Sequence, residues 1–273
     1  MSVDPIRCCV INLPKAAKRL DAIRSAFAAA APVGWTLEVF PGVDGAQIET
    51  QGRLTAGEKG AFLSHLRLLE SSLHDDAPLW ILEDDAELSA SAFQMVGEAL
   101  SASKAHLLFT DVGPANAEDM LKVLAFWPGR NTPRLLDLRA IQFVGASSYL
   151  VAGPAKRELA TLLRVFADPL DAPIDLVLRH LIHEGALSAA VTLPFLTTLS
   201  PHAEQSQVYG LTVKERVWNT TRRLFFIDQD LEACASAASQ LFQELGDRKA
   251  QVFGQLLAAR VSADFRESGQ VKR

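Results

Sequence analysis

The sequence predicts an α/β fold, a sheet flanked by helices, followed by an all-helical C-terminal appendage. Three observations predict it: a β-α-β opening, an apolar stretch at Pro78–Asp85 that ends in three carboxylates, and the absence of strand patterns after Leu211. Strands that alternate with helices are typical of sheets with crossover connections. We therefore expect a sheet-containing domain over residues 1–210 and a helical extension over residues 211–273.

The β-α-β opening lies in the first 45 residues. Ile6–Leu13 is apolar and predicts a buried strand, and Lys15–Ala31 has the apolar spacing of an amphipathic helix. Trp35–Phe40 alternates like a second strand and leads into the turn-rich segment Pro41–Gly45.

A second helix is predicted from about Thr55 to His74. Thr55 and Glu58 fit a capping box, in which each side chain satisfies a backbone N–H group of the other. The remaining patterns predict helices at Ser89–Ser101, Ala115–Ala125, Pro154–Phe166 and Ile174–His183. They predict strands at His106–Thr110, Arg134–Leu138, Gln142–Ala152 and, as the last one, Ala189–Leu193. Helical stretches are predicted to begin near Thr212, Asp228 and Asp247.

The amino-acid composition limits the classes of protein to which the chain can belong. The chain has 273 residues and a formal net charge of −5, so it offers no global attraction to nucleic acid or to anionic membranes. Three cysteines, two of them adjacent, form neither a disulfide framework nor a zinc spacing, which predicts a reducing compartment. With no signal-like or membrane-spanning apolar run, we expect a cytoplasmic protein whose membrane contact is at most peripheral, at the inner membrane.

Glu83, Asp84 and Asp85 end the apolar stretch where its strand leaves the core. Ligands of open α/β sheets bind at that edge, and hard carboxylate oxygens suit Mg²⁺ or Mn²⁺. Residues 83 and 85 of an extended chain face one side and residue 84 the other, so at most two carboxylates would converge on one ion. The alternative is a polar turn in which Asp85 or Ser89 begins the next helix.

Three separated blocks of the chain resemble glycosyltransferase family 25, the bacterial lipooligosaccharide and collagen-type galactosyltransferases. They are Val10–Pro14 (VINLP) with Arg19, Leu54–His65 (LTAGEKGAFLSH) and Ile81–Asp85 (ILEDD). Ala146–Leu150 and Pro173–Asp175 are weakly similar to two later blocks, so the resemblance covers roughly residues 6–200. Where many members carry a cysteine after the second glycine of the long block, this chain has Ala61.

The resemblance implies a GT-A type fold, a nucleotide-sugar donor and a divalent cation, Mn²⁺ or Mg²⁺, held by the acidic triplet. It also implies an inverting transfer of a hexose, commonly galactose from UDP-galactose, to a hydroxyl of a lipooligosaccharide or another glycan. Asp85 is the expected main metal ligand, with Glu83 and Asp84 sharing metal and ribose contacts.

Other residues receive roles from the same resemblance. Donor contacts are expected from Asn12, Arg19, Glu58, Ser64 and His65, although a solvated helix face would explain Arg19 and the capping box alone would explain Glu58.

The inverting transfer also needs a base for the acceptor hydroxyl. Asp175 is the candidate, since it matches the "P-x-D" block, and Asp111 at a strand end is the alternative. A helix cap would also explain Asp175. His202, in the loop after the last predicted strand, is a candidate metal ligand. Tyr149 has the features of an ordinary half-buried strand residue.

Two other functions fit less well. A catalytically inactive relative could act as a binding or assembly module through the helical extension, which packs on the domain or mediates homo-oligomers. A metal-dependent phosphotransfer enzyme could use the same triplet, but the chain lacks a phosphate-binding glycine-rich loop.

Overall fold

The computed structural model describes residues 5–49, 51–127, 133–200 and 213–228, with four isolated positions further on. The strands are β1 (Arg7–Asn12), β2 (Thr36–Pro41), β3 (Leu79–Glu83), β4 (Ala86–Leu88), β5 (Leu107–Phe109), β6 (Gly113–Pro114), β7 (Arg134–Asp137), β8 (Phe143–Val144), β9 (Ser148–Val151), β10 (Ala189–Leu193) and β11 (Thr197–Leu199). The α-helices are α1 (Ala17–Ala30), α2 (Ala56–Ser71), α3 (Ala90–Ala102), α4 (Ala117–Phe126), α5 (Ala155–Val165), α6 (Ile174–His183) and α7 (Val213–Leu224).

Seven strands form the central sheet in the order β2-β1-β3-β9-β5-β10-β7. Strands β2, β1, β3, β5 and β10 run in one direction, and β9 and β7 run against them. The carboxyl ends of β1, β3 and β5 therefore lie at one edge of the sheet, together with the amino end of β9. The predicted α/β fold is confirmed, and its mixed sheet flanked by helices is consistent with a GT-A-like fold.

Alternation along the central strands produces two cores, one on each face of the sheet. Cys8 and Val10 of β1 pack on the face covered by α1 and α3, whereas Cys9 and Ile11 pack on the face covered by α2, α5 and α6. The burial of all four follows from the period of two in a strand that is covered on both sides. The sequence prediction of a buried first strand is thus confirmed.

Two strand predictions were wrong. Gln142–Ala152 is not one strand but β8 and β9, because Gly145 between them has a φ of +94°, which extended backbone does not allow. Ala189–Leu193 is not the last strand, since β11 follows and pairs antiparallel with β4, directly after the acidic residues. Short strands such as β4 and β11 have too few residues to show the alternation of apolar and polar side chains from which a strand is predicted.

The end of α7 packs into the core of the sheet domain. Leu224 and Phe225 are fully buried, and the ring of Phe225 contacts those of Phe195 and Trp127. Backbone N–H groups of Phe195 and Ile227 donate to carbonyls across the two segments, so residues 225–227 lie alongside Phe195. Within the described part of the chain, no helix is long and apolar enough to span a membrane.

Candidate functional site

A cavity of about 250 Å³ lies at the edge of the sheet where β1 and β3 end. Its wall combines the loop after β2, the first half of α2 and the acidic residues at the end of β3 and directly after it. Six of the residues predicted from the sequence line it: Arg19, Ser64, His65, Glu83, Asp84 and Asp85. Residues far apart in sequence meet there because parallel strands deliver their carboxyl ends to one edge.

The loop after β2 and α2 meet backbone to backbone on one side of the cavity. A Cβ on Gly45 would lie 1.8 Å from the carbonyl oxygen of Ala56, and one on Gly60 would lie 2.5 Å from that of Val43. Ser64 ties the two segments together, since its hydroxyl accepts from the Val43 N–H at 2.8 Å and donates to the Gly60 carbonyl at 2.6 Å. Sequence reasoning identified residues 41–45 only as a turn and missed this wall.

Glu83 is held by a fully buried histidine. The His65 Nε2 lies 3.1 Å from Glu83 Oε1, and Nδ1 lies 2.9 Å from the Tyr149 hydroxyl. Burial raises the pKa of Tyr149, so its hydroxyl stays protonated and donates to Nδ1, which leaves the ring proton on Nε2 for Glu83. Burial opposes ionisation of Glu83, but the hydrogen bond from His65 helps to outweigh it, so the pKa of Glu83 lies below its usual value.

Tyr149 is fully buried rather than half-buried, and its ring stacks on that of His65. Its role in orienting His65 was missed from the sequence, because nothing local marks a strand tyrosine as the partner of a histidine 84 residues away.

Asp84 is held by the first strand and helix. Its Oδ2 accepts from Asn12 Nδ2 at 2.8 Å, and its Oδ1 pairs with the Arg19 guanidinium at 3.0 Å. Burial raises the pKa of Asp84, while Arg19 and Asn12 act in the opposite direction. Asn12 and Arg19 therefore contact the cavity's acidic turn directly, and the donor contacts expected of them stay predictions.

Asp85 is the least satisfied carboxylate of the three. Its Oδ1 is buried and has no hydrogen-bond partner among the described residues. Burial, followed by the charges of Glu83 and Asp84, raises the pKa of Asp85 to about 7. A buried carboxylate oxygen beside two other carboxylates fits a divalent cation, which would supply the missing positive charge.

The structure limits how the triplet could hold an ion. The strand ends at Glu83, and Asp84 and Asp85 lie in a turn, so the extended alternation expected over residues 83–85 does not apply. No three His, Cys, Asp or Glu side chains of the described residues form a metal-binding group. A cation here would rest on one or two carboxylates, the number that Mg²⁺ commonly uses when substrate phosphates supply other ligands. The candidate ligand His202 lies outside the described residues.

Glu58 lies at the start of α2 and does not line the cavity. Its Oε2 accepts from the N–H and the hydroxyl of Thr55, at 2.8 and 2.7 Å, while the Glu58 N–H donates to the Thr55 hydroxyl. The predicted capping box is confirmed. These contacts explain Glu58 as part of the N-terminal cap of α2, the helix that carries Ser64 and His65.

The two candidate bases also lie outside the cavity lining. Asp175, in the first turn of α6, accepts from the Gly145 and Leu176 N–H groups at 2.8 and 2.9 Å, and burial raises its pKa. Pro173 rather than Asp175 occupies the N-cap position, so Asp175 ties α6 to the turn before β9 instead of capping the helix.

Asp111 is 1% exposed and is the counter-ion of Arg222 from α7. The Arg222 Nε donates to its Oδ2 at 2.8 Å, and the hydroxyls of Thr197 and Ser147 donate to its Oδ1 at 3.2 and 3.4 Å. Sequence reasoning missed Arg222, which is 111 residues from its partner and lies in a segment that was treated as an appendage.

Comparison with known proteins identifies the N-terminal part of this arrangement. Residues 6–123 match the model of glycosyltransferase family 25, described as "LPS biosynthesis protein". A search of curated proteins found no match to the chain. Every residue that lines the cavity lies within the matched region. The resemblance drawn from the three sequence blocks is therefore confirmed over residues 6–123, where the chain is similar to glycosyltransferase family 25.

Proposed function

We propose that this chain is a metal-dependent, inverting glycosyltransferase that moves a hexose from a UDP-hexose, specifically galactose from UDP-galactose, to a hydroxyl of a lipooligosaccharide or another glycan. One observation carries the proposal. Arg19, the Ser64–His65 pair and the acidic turn come from three separate blocks of the family match and line one cavity. The cytoplasmic location and peripheral membrane contact expected from the sequence stay predictions.

The charge of the cavity explains why a cation belongs to the proposal. A nucleotide diphosphate facing Glu83, Asp84 and Asp85 without a counter-charge would be repelled. Asp85 and Glu83 would hold a divalent ion, which would neutralise the charge that develops on the diphosphate leaving group. Arg19 provides a second positive charge at the wall of the cavity and holds Asp84 at the same time.

The remaining residues position these groups or act on the acceptor. His65 and Tyr149 orient Glu83, so its carboxylate needs little rearrangement when the donor binds. Asp175 takes the proton of the acceptor hydroxyl in this proposal, because its raised pKa brings it nearer to the working range of a general base. Asp111 is the weaker candidate, since its Oδ2 accepts from Arg222 in a buried ion pair and its Oδ1 accepts from the Thr197 hydroxyl.

Calorimetric titration with UDP tests the proposal. Wild-type protein should bind UDP in the presence of Mn²⁺ and lose most of that binding in EDTA. Asp85→Ala should remove the metal-dependent part, whereas Asp21→Ala, which removes an exposed carboxylate on α1, should not. Equal binding of UDP with and without Mn²⁺ would contradict metal dependence.

An acceptor screen separates the competing functions. UDP-galactose consumption with transfer to a glycan supports the proposal. Binding without hydrolysis or transfer under any acceptor would favour the inactive binding module, and release of free phosphate from the nucleotide would favour phosphotransfer.

A further inference from the structure

Arg222 is a buried cation at the end of α7, outside the region that matches the family. Its guanidinium is shared between two partners. Nε and a terminal nitrogen donate to Asp111 Oδ2, and the terminal nitrogen also donates to the hydroxyl of Ser147 at 2.7 Å. Removal of one partner from such a buried pair is strongly destabilising, because the other partner stays charged and unpaired. We therefore expect the loss of Arg222 to disturb the residues that contact it.

Ser147 joins this ion pair to the acidic turn. Its hydroxyl accepts from Arg222, while its carbonyl oxygen accepts from the Glu83 N–H at 2.8 Å. Ser147 is 4% exposed and immediately precedes β9, the strand that pairs with β3. A single residue therefore separates the guanidinium of Arg222 from the backbone of a carboxylate that lines the cavity.

Arg222 also lies against the turn that holds Asp175. A Cβ on Gly145 would lie 3.3 Å from a terminal nitrogen of Arg222, so the guanidinium packs against this glycine. The Gly145 N–H donates to Asp175. The same side chain thus borders the backbone that contacts the candidate base.

The residues after Arg222 contact the strand that follows the acidic turn. Arg223 pairs with Glu87 of β4 at 2.9 Å and donates to the Leu199 carbonyl of β11 at 2.6 Å. Asp228 accepts from the hydroxyl of Ser89. Arg223 and Asp228 therefore contact the chain just after Asp84 and Asp85.

We propose that Arg222 is a positioning residue of the donor site, which acts through Ser147 to fix the backbone of Glu83. The expected effect on donor binding rests on the proposed function, whereas the positioning of Glu83 by Arg222 does not. It makes the C-terminal segment a part of the site, although that segment lies beyond the family match.

Hydrogen exchange, measured by mass spectrometry on peptides that cover residues 79–88, tests the positioning. Arg222→Met should speed exchange of this segment by ~10-fold or more, because the Glu83 N–H loses a fixed acceptor. Arg222→Lys keeps the charge but not the fork of donors, and should give an intermediate rate. Ser147→Ala leaves the ion pair of Arg222 and Asp111 in place and removes the hydroxyl that contacts both of them, so it should also speed exchange.

Lys156→Met is the matched control, because Lys156 is another buried cation. It is 2% exposed and donates to Asp75 and to the Ser72 carbonyl, and none of these residues lines the cavity. It should destabilise the protein without changing hydrogen exchange at residues 79–88.

If Arg222→Met does not fold, the double variant Arg222→Met/Asp111→Leu replaces it. This variant removes both charges, a substitution that buried ion pairs often tolerate.

UDP titration with Mn²⁺ on the same variants completes the test. Affinity should fall ~10-fold or more in Arg222→Met and Ser147→Ala and stay at the wild-type value in Lys156→Met. Unchanged exchange at residues 79–88 in a folded Arg222 or Ser147 variant would overturn the inference, as would an equal effect of Lys156→Met. If wild-type protein fails to bind UDP with Mn²⁺, the proposed function fails, while the exchange rates still decide whether Arg222 positions Glu83.

Discussion

The imidazole of His65 reaches from the core of the sheet to Glu83, with its Nε2 3.1 Å from Oε1 of the carboxylate. The histidine is fully buried, while the Glu83 side chain is 32% exposed and lines the cavity. A rigid group inside the protein therefore sets the direction of a charged group at its surface. His65 is itself set by Tyr149, so three side chains from α2, β3 and β9 act as one unit.

His65→Gln should destabilise the protein by about 1–3 kcal/mol, because the Tyr149 hydroxyl and Glu83 both lose a well-placed partner. His74→Gln is the control, since His74 lies just after α2 and its side chain is 64% exposed. It should change stability by less than about 0.5 kcal/mol. Urea unfolding of both variants measures the difference, and equal stabilities would argue against a structural role for the His65 contacts.

Asp85→Asn should stabilise the metal-free protein at alkaline pH. The pKa of Asp85 is about 7 in the folded protein, against an ordinary value of 3.8, so the folded state binds the proton more tightly. Stability from this group is then present below pH 4 and is lost as the pH rises to 7. In EDTA at pH 8 the variant should melt at least ~2–4 °C above wild type, and at pH 4 the two should differ little.

Mn²⁺ should reverse that order. Metal binding raises the melting temperature of wild type, and Asp85→Asn should gain far less. Asp21→Asn, an exposed change on α1, should follow wild type in every condition. A melting temperature of Asp85→Asn below that of wild type in EDTA at pH 8 would show that Asp85 is not a strained carboxylate.

Arg19→Met should weaken UDP binding with Mn²⁺ by ~10-fold, because Asp84 loses its counter-ion and the cavity loses a positive charge. Arg24→Met is the matched control on the same helix. Arg24 is 55% exposed and pairs only loosely, at 3.7 Å, with Asp21. Calorimetry with both variants measures the effect, and equal affinities would place Arg19 outside the donor site.

Asp175→Asn should lower kcat by ~10²–10⁴ while UDP affinity stays near the wild-type value, because a base for the acceptor does not contact the donor. In wild type, kcat should rise with pH through the raised pKa of Asp175, since only the carboxylate accepts a proton.

Asp111→Asn tests the alternative base. We expect it to act through Arg222, with lower stability and weaker donor binding. If Asp111→Asn alone abolishes kcat with donor binding intact and Asp175→Asn does not, the assignment of the base is reversed.

Cys8 and Cys9 should react slowly with iodoacetamide in the native protein. Both thiols are buried, and burial raises the pKa of Cys9 to about 11. At pH 8 the thiolate fraction of Cys9 should be ~100-fold below that of an ordinary cysteine. Mass spectrometry of the peptide that carries both residues, before and after unfolding in urea, measures the two rates. Similar rates in both states would show that this strand opens readily.

Elements with strong local signals were predictable. The capping box of Thr55 and Glu58 depends only on residues three apart, and α6 ends at His183 as predicted, with Gly185 shortly after it at a φ of +77°. Strand β1 was equally clear, because a strand covered on both faces has an unbroken apolar run. The breaks around Gly145 and the short strands β4 and β11 were missed, since two to four residues carry no period.

The sequence by itself determined the α/β class, the resemblance to glycosyltransferase family 25 over residues 6–123 and six of the residues that line the cavity, because motifs and apolar periods depend on neighbouring residues. Only the tertiary structure decided which side chains hold those six in place. Tyr149 orients His65, and Arg222 reaches Asp111 and Ser147, across separations of 84, 111 and 75 residues. Partners that distant are chosen by the order of strands and the packing of helices, which leave no local trace in the sequence.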